Sequence, residues 1–372
     1  MTVRMRLPER IVKAKVNGEE SMRTINGPGL FLGQFADDKP PFNNLADICT
    51  WAKECGFEAV QLPTWDSRFI DLERAAKSDA YCEELKGTVA DAGIVICDMA
   101  SHIQGQLCAV HPAYDAWMDG LCPPEVRGNR NARQNWAVQQ LKYCAEASRR
   151  LGITEHATFS GALAWPFCYP FPQRDEAVIE EAFDELARIW QPILDHYDEY
   201  GVDLCFELHP MEDLFDGITF EKFLDRIGGH KRCNLNYDAS HFIKQGLDYI
   251  EFIHFYHERI KMFHVKDAEF NPSGKQGFYS GYLPWLKRAA RDRSLGHGQV
   301  NWRRVFSLFT EYDFAGWAVY EWECCIEHPE DAAPKGAAFI RDQIIQVTSK
   351  TFDDFVGGKG DTSGARKILG LG

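Results

Sequence analysis

The chain contains no run of about 18 consecutive apolar residues, and its opening residues, Met1 to Pro8, lack the apolar stretch of a secretory leader. Neither a membrane span nor export is therefore expected, and the expected location is the cytoplasm. None of the 12 cysteines forms a C-x-x-C pair, which argues against a zinc knuckle or a dithiol redox motif. Scattered along the chain, they read as small buried hydrophobes in a reducing compartment, and the vicinal pair Cys324 and Cys325 reads the same way. Positive charge is also in deficit, with 41 Lys and Arg against 55 Asp and Glu, a net charge of −14. A nucleic acid or an anionic membrane would have to bind against that mean field, so neither is expected as a partner. No G-x-G-x-x-G follows an apolar run, which weighs against a doubly wound dinucleotide-binding sheet.

What the sequence does have is alternation. Strand-like runs at 30–35, 59–62, 94–101, 156–160, 203–208, 234–238, 260–265 and 317–322 alternate with stretches of 3.6-residue apolar spacing at 45–55, 78–92, 134–151, 176–200, 220–227, 247–257, 302–312 and 333–348. Gly56, Gly93, Gly152 and Gly201 each close a helical stretch, because glycine accepts the left-handed conformation of a helix C-cap. Eight strand-then-helix repeats predict an α/β fold, a closed parallel barrel of the (β/α)8 type. The expected organisation is an N-terminal arm over 1–26, a catalytic barrel over 27–348 and a C-terminal tail over 349–372. Two βα connections, 104–133 after the third strand and 268–300 after the seventh, are long enough to predict lids or binding walls. The segment 160–174, with Trp165, Phe167, Tyr169 and Phe171, predicts a third wall. The basic residues of the lids, Arg127, Arg130, Lys275, Lys287 and Arg288, read as solvated before they read as a phosphate grip.

The last four strands each deliver an acid or a histidine at the C-terminal end: Glu207, Asp238, His264 and Glu321. In a parallel barrel these ends converge on one mouth. Three carboxylates and one imidazole suit Mn²⁺, Co²⁺, Mg²⁺ or Zn²⁺ better than thiolate-loving metals, and the expectation is one divalent ion, Mn²⁺ first. Glu323 lies on the same strand face as Glu321, so spacing alone leaves the last position open between them. His209 and His241 follow the acids closely, Lys266 and Asp267 follow His264, and His102 ends the third strand; these are expected to orient ligands or contact substrate.

The motifs containing Phe206 to Pro210, Asn236 to His241, Phe263 to Asp267, Gly296 to Trp302 and Tyr320 to Glu323 resemble, in that order, those of the sugar phosphate isomerase/epimerase family, the xylose-isomerase-like TIM barrels. The long lids and the Glu321 to Cys325 ending look closer to the branch related to C-glycoside deglycosidase large subunits, which acts on 3-oxo-sugars. The resemblance implies a metal held by Glu207, Asp238, His264 and Glu321, with a polyol or keto-sugar bound through two adjacent oxygens. Glu207, Glu321 and His209 are the expected catalytic groups. His102, His241, Lys266, Asp267, Glu323 and Trp165 are the expected substrate contacts. The chemistry this implies is isomerisation or epimerisation of a sugar through an enediolate. β-Elimination from a 3-oxo-glycoside by a lyase or dehydratase stands second, and metal-dependent endonuclease action third. The expected partners are a small sugar or glycoside, a second copy of the chain and a small partner subunit.

Overall fold

In the computed structural model, which describes residues 12–16, 19–348 and 362–371, eight parallel strands close into a barrel. They are β1 (Asn26–Phe31), β2 (Ala59–Pro63), β3 (Val95–Ala100), β4 (Glu155–Thr158), β5 (Asp203–Glu207), β6 (Cys233–Asp238), β7 (Ile260–Val265) and β8 (Trp317–Tyr320), with β8 pairing β1 to complete the ring. The main outer helices are α1 (Leu45–Glu54), α2 (Asp79–Asp91), α3 (Arg130–Leu151), α4 (Ala177–Tyr200), α5 (Gly217–Arg226), α6 (Tyr249–Tyr256), α7 (Trp302–Glu311) and α8 (Pro329–Gln343). Every strand and helix expected from the alternation is present. None of the described helices is long and apolar enough to cross a membrane.

Local chemistry explains the boundaries. Asn44 accepts the Asp47 N–H at the start of α1, and Asp216 with Thr219 forms a capping box that begins α5 at Gly217, three residues before the expected start. Gly56, Gly93, Gly152 and Gly201 all have positive φ at or just beyond helix ends. The first strand begins at Asn26 rather than at Leu30. Gly27 and Gly29 sit where β1 closes on β8: a Cβ at Gly27 would stand 3.1 Å from the Ala318 carbonyl oxygen, and one at Gly29 would stand 3.3 Å from Val319 Cγ2. Glycine at a strand position thus marks a close backbone approach here.

Two apolar layers hold the barrel. The larger lies between the outer strand faces and the helices, with Trp190, Phe206, Phe220, Phe223, Tyr237 and Phe263 among its members. The smaller fills the lumen with Phe31, Ala100, Ala157, Cys205, Met262 and Val319. It seals the floor beneath the carboxyl ends of the strands.

The long connections are structured. The one after β3 folds into short helical pieces, His102–Cys108, Pro112–Tyr114, Asp115–Met118, Asp119–Leu121 and Pro124–Val126. Buried Arg133 clamps it to α3 by pairing with Asp115 and with Asp119 at 2.6 Å, while Arg130 also pairs with Asp115. The connection after β7 becomes an antiparallel hairpin, Asp267–Phe270 with Ala290–Arg293, carrying an aromatic loop at its tip. The expected N-terminal arm contains another hairpin, Val12–Val16 with Glu19–Arg23. Of the expected tail, 349–361 lies outside the described residues, and a short helix follows at Thr362–Ile368.

Candidate metal centre

Strand register brings the four donors to one level. Glu207 and Asp238 are the last residues of β5 and β6, His264 pairs with both Asp238 and Val319, and Glu321 follows β8 directly. One ligand atom from each of the four lies within 4.8 Å of every other, and all four residues are buried. His264 Nδ1 is 3.0 Å from Glu207 Oε2 and 2.9 Å from Glu321 Oε2. Neighbouring ligands on an ion with bonds of about 2.1 Å stand about 3 Å apart, so this spacing is that of a coordination shell.

The orientation of each donor is also fixed. His264 Nε2 donates to the side-chain oxygen of buried Gln61 at 2.9 Å, which leaves Nδ1 as the ring atom turned toward the carboxylates: it donates to them while it holds a proton and is the nitrogen free to bind a metal once that proton is lost. Asn236 donates to Glu207 Oε2 at 2.8 Å, Gln34 donates to Glu321 Oε1 at 2.7 Å, and Asp238 Oδ1 accepts from the Ser240 N–H at 2.8 Å. His241 Nε2 bridges Glu207 Oε1 at 3.0 Å and Asp238 Oδ2 at 3.3 Å. His102 Nε2 approaches Glu207 Oε2 at 3.2 Å.

Lys266 is the compensating charge. Its buried ammonium lies 2.9 Å from Asp238 Oδ2, 2.9 Å from Glu321 Oε2 and 3.3 Å from Glu323 Oε2. Burial alone would lower its pKa, but Asp238 and Glu321 hold it well above the usual value. Burial likewise raises Glu207, yet the His264 charge and the histidine hydrogen bonds bring its carboxyl well below the ordinary range. Among these three buried carboxylates the neutralising charge comes from the Lys266 ammonium and from protons held on His264 and His241, and a hard divalent cation seated among the same oxygen and nitrogen donors would take the place of the His264 proton. The donor set therefore fits a divalent metal.

An apolar cavity of about 830 Å³ opens beside the cluster. Its lining includes Trp165, Phe215, Phe278, Tyr279 and Trp285, with His209, His241 and Glu323 on the side of the metal ligands. The β7 connection and the 160–174 segment thus form the walls. The 104–133 connection, expected as a wall, contributes no residue to the lining of this cavity; its Arg130 and Arg133 pair with Asp115 and Asp119 within the same region. His209 lies 4.1 Å from His241, ring to ring. Burial and the neighbouring His241 charge hold its pKa well down, so it is neutral.

Of the residues singled out in the sequence, the structure brings Glu207, Asp238, His264, Glu321, Lys266, His241, His102 and Glu323 together and sets His209 and Trp165 in the adjoining cavity. Glu321 takes the inner position and Glu323 the outer, with 38% of its side chain exposed. Asp267 is not brought in. Its carboxylate accepts from the backbone N–H groups of Ala268, Gly296, Gly298 and Val300, so it points away from the ligands and secures the turn into α7. Gln34, Gln61 and Asn236 were not read from the sequence. For Asn236 a signal existed, since it lies two residues before Asp238 on one strand face.

A family model described as the xylose isomerase-like TIM barrel matches residues 49–343. The chain belongs to that family. Among curated proteins this xylose isomerase-like barrel resembles inosose dehydratase of Bacillus velezensis, with 30% identity over 157 residues, 40% of this chain and 48% of that one. The chain spans about half the length of the curated relatives it matches. Among solved structures, an L-ribulose 3-epimerase shares 15% identity over 91% of this chain and all of that one, with a TM-score of 0.57. A xylose isomerase-like TIM barrel protein from Mycobacterium smegmatis in complex with magnesium shares 16% identity over 85% of this chain and 96% of that one, also at 0.57. These structural likenesses speak to the fold.

Two expected outcomes follow from this geometry. Gln61→Leu removes the acceptor that sets the His264 tautomer and should weaken Mn²⁺ affinity about 10- to 100-fold by calorimetric titration; unchanged affinity contradicts the assigned role. The second concerns Glu212, whose Oε2 accepts the Gly161 N–H at 2.6 Å beside Asp213, itself bonded to the N–H groups of Leu163, Ala164 and Trp165. Burial pushes the Glu212 carboxyl from 4.5 up to about 8, and that of Asp213 up to about 6. A carboxyl raised on folding keeps its proton longer in the native state, so its contribution to stability falls as pH rises toward the folded value. Glu212→Gln should therefore flatten the loss of unfolding free energy between pH 6.5 and 8 by about 1 to 2 kcal/mol, and parallel urea-derived profiles would contradict this.

Proposed function

We propose that this protein is a divalent-metal-dependent enzyme that removes a proton next to the carbonyl of a keto-sugar, with isomerisation or epimerisation as the outcome. The supporting observation is the placement of two buried carboxylates, Glu207 and Glu321, each within 3.0 Å of His264 Nδ1, beside a half-open aromatic cavity. A divalent ion in this site would draw off the negative charge that builds on two adjacent substrate oxygens as the C–H bond ionises. Glu207, Asp238, His264 and Glu321 would hold it, with Mn²⁺ the first choice among Mn²⁺, Co²⁺, Mg²⁺ and Zn²⁺.

The chain's own groups then divide the proton work. A carboxylate on one face of the carbon, Glu207, takes the proton. Its counterpart Glu321 returns one to the opposite face, which inverts the centre, or to the neighbouring carbon, which interconverts ketose and aldose. His241 and His102 keep Glu207 ionised and aimed, and Lys266 performs the same service for Asp238 and Glu321. Glu323, partly exposed at the cavity side, is placed to meet a substrate hydroxyl.

The cavity favours a second reading. At about 830 Å³ it falls in the range of about 300–1,000 Å³ typical of drug-sized ligands, and its aromatic lining suits something beyond a hydroxylated monosaccharide. A 3-oxo-glycoside fits: after the same proton removal, the bond from the β carbon to the aglycone breaks with its electron pair, and the departing atom takes up a proton. His209, neutral and in the cavity wall, would relay to that atom the proton taken from the carbon, so the step needs no proton from outside. The similarity to a dehydratase adds weight to elimination. Endonuclease action has less support, because the charged residues lining the cavity are Lys244, Arg288, Asp292 and Glu323 and form no basic strip.

The test is incubation of the Mn²⁺-loaded protein in D₂O with ketoses and 3-oxo-glycosides. Deuterium in an isomer of the substrate supports the first reading, aglycone release supports the second, and no exchange with any of them contradicts both. Glu207→Gln should lower turnover by at least about 10³-fold and weaken metal binding together; full activity in that variant contradicts its role.

A further inference from the structure

The cavity beside the metal ligands has a charge pattern that a neutral sugar does not use. Besides His241, which is committed to Glu207 and Asp238, four of its lining residues carry a formal charge: Lys244, Arg288, Asp292 and Glu323. Asp292 accepts from Lys244 Nζ at 2.7 Å, with both side chains buried, and Glu323 faces Lys266 at 3.3 Å. Asp292 thus has an ammonium of its own, while Glu323 shares Lys266 with Asp238 and Glu321. Among the described residues Arg288 has no carboxylate partner. Its Nη1 donates to the Leu283 carbonyl at 3.3 Å, and its Nε is buried without a hydrogen-bond partner. The guanidinium carbon stands 5.2 Å from the centroid of the Trp285 ring, which also receives Lys244 Nζ at 5.6 Å.

That stacking matters because it holds the guanidinium against the wall of the cavity and stiffens a side chain that would otherwise sample many rotamers. Trp165, Phe215, Phe278 and Tyr279 complete an aromatic lining. A flat apolar group entering this space sheds water against aromatic faces. A half-buried guanidinium there, lacking an anion, prefers a planar oxyanion that accepts two parallel N–H bonds.

We propose that Arg288 marks a specificity subsite for a planar aromatic group bearing a carboxylate, carried by the substrate beyond its sugar ring. This deepens the reading of the cavity as the substrate site and rests on it. Arg288 is a binding residue in this scheme, remote from the proton transfer, and the natural substrate is a sugar conjugated to an aromatic acid. The Lys244 and Asp292 pair serves as its support: it presents a neutral polar floor and keeps Asp292 from answering Arg288 itself.

The test uses 2-naphthoate and its neutral amide, 2-naphthamide, titrated calorimetrically into metal-free and Mn²⁺-loaded protein, so that binding is read without turnover. Naphthoate should bind about ten-fold or more tightly than naphthamide in both forms. Arg288→Met should abolish that preference and leave naphthamide affinity unchanged, which also shows the variant to be folded; Arg288→Lys should restore part of it. Equal binding of the two probes to the parent protein overturns the subsite while leaving the cavity as a ligand site. A preference that requires Mn²⁺ and survives Arg288→Met places the carboxylate on the ion and likewise overturns it. Failure of both probes to bind overturns the cavity reading itself, a result separable from the D₂O exchange that tests the chemistry.

Discussion

Negative charge confined at the barrel mouth is the constraint from which the rest of the structure follows. Glu207, Asp238 and Glu321 are removed from water within a few ångströms of one another, and Lys266 is the ammonium set among them. Such a cluster holds together only if every oxygen has a donor or a cation, because an unpaired buried charge is far more costly than a paired one. The donors are supplied from around the barrel: Gln34 after β1, His102 after β3, Asn236 on β6 and His241 after β6. Gln61 on β2 aligns the imidazole rather than a carboxylate. The candidate metal site is therefore a property of the whole ring of strands.

The architecture separates stability from chemistry along the barrel axis. Phe31, Cys205, Met262 and Val319 fill the lumen beneath the site, and the aromatic layer outside β6 and β7, with Tyr237, Phe263, Phe306 and Phe309, fixes the strands that carry Asp238 and His264. The cavity wall is left to the connections. The hairpin after β7 and the 160–174 segment rise from this rigid base and enclose the aromatic cavity, the latter secured by Asp213 through three consecutive backbone N–H groups. The xylose isomerase-like barrel thus carries the four converging donors on a rigid base and the cavity wall on the connections above it.

Much of this was legible in the sequence, and the pattern of what was not is physical. Strand and helix alternation announced the barrel, and an acid or histidine at the end of each of the last four strands announced the ligands, since convergence of strand ends follows from closure alone. Asp267 looked equally eligible beside Lys266, but local backbone N–H groups of the 296–300 turn captured its carboxylate, an event set by a loop nearly thirty residues away. Gln61 and Gln34 escaped notice because a single amide in an apolar strand or turn has no periodic signature; only register places Gln61 against a histidine on β7. Arg288 read as a solvated lid residue because nothing in the local sequence says that the other charges in the cavity are already matched.

The measurement that bears most directly on this account is anomalous diffraction from crystals of the Mn²⁺-loaded protein. The account predicts one strong peak at the barrel mouth, about 2.0–2.3 Å from a carboxylate oxygen of each of Glu207, Asp238 and Glu321 and from His264 Nδ1. No peak among those four side chains, or an ion bound elsewhere while they remain paired only with Lys266, would contradict it.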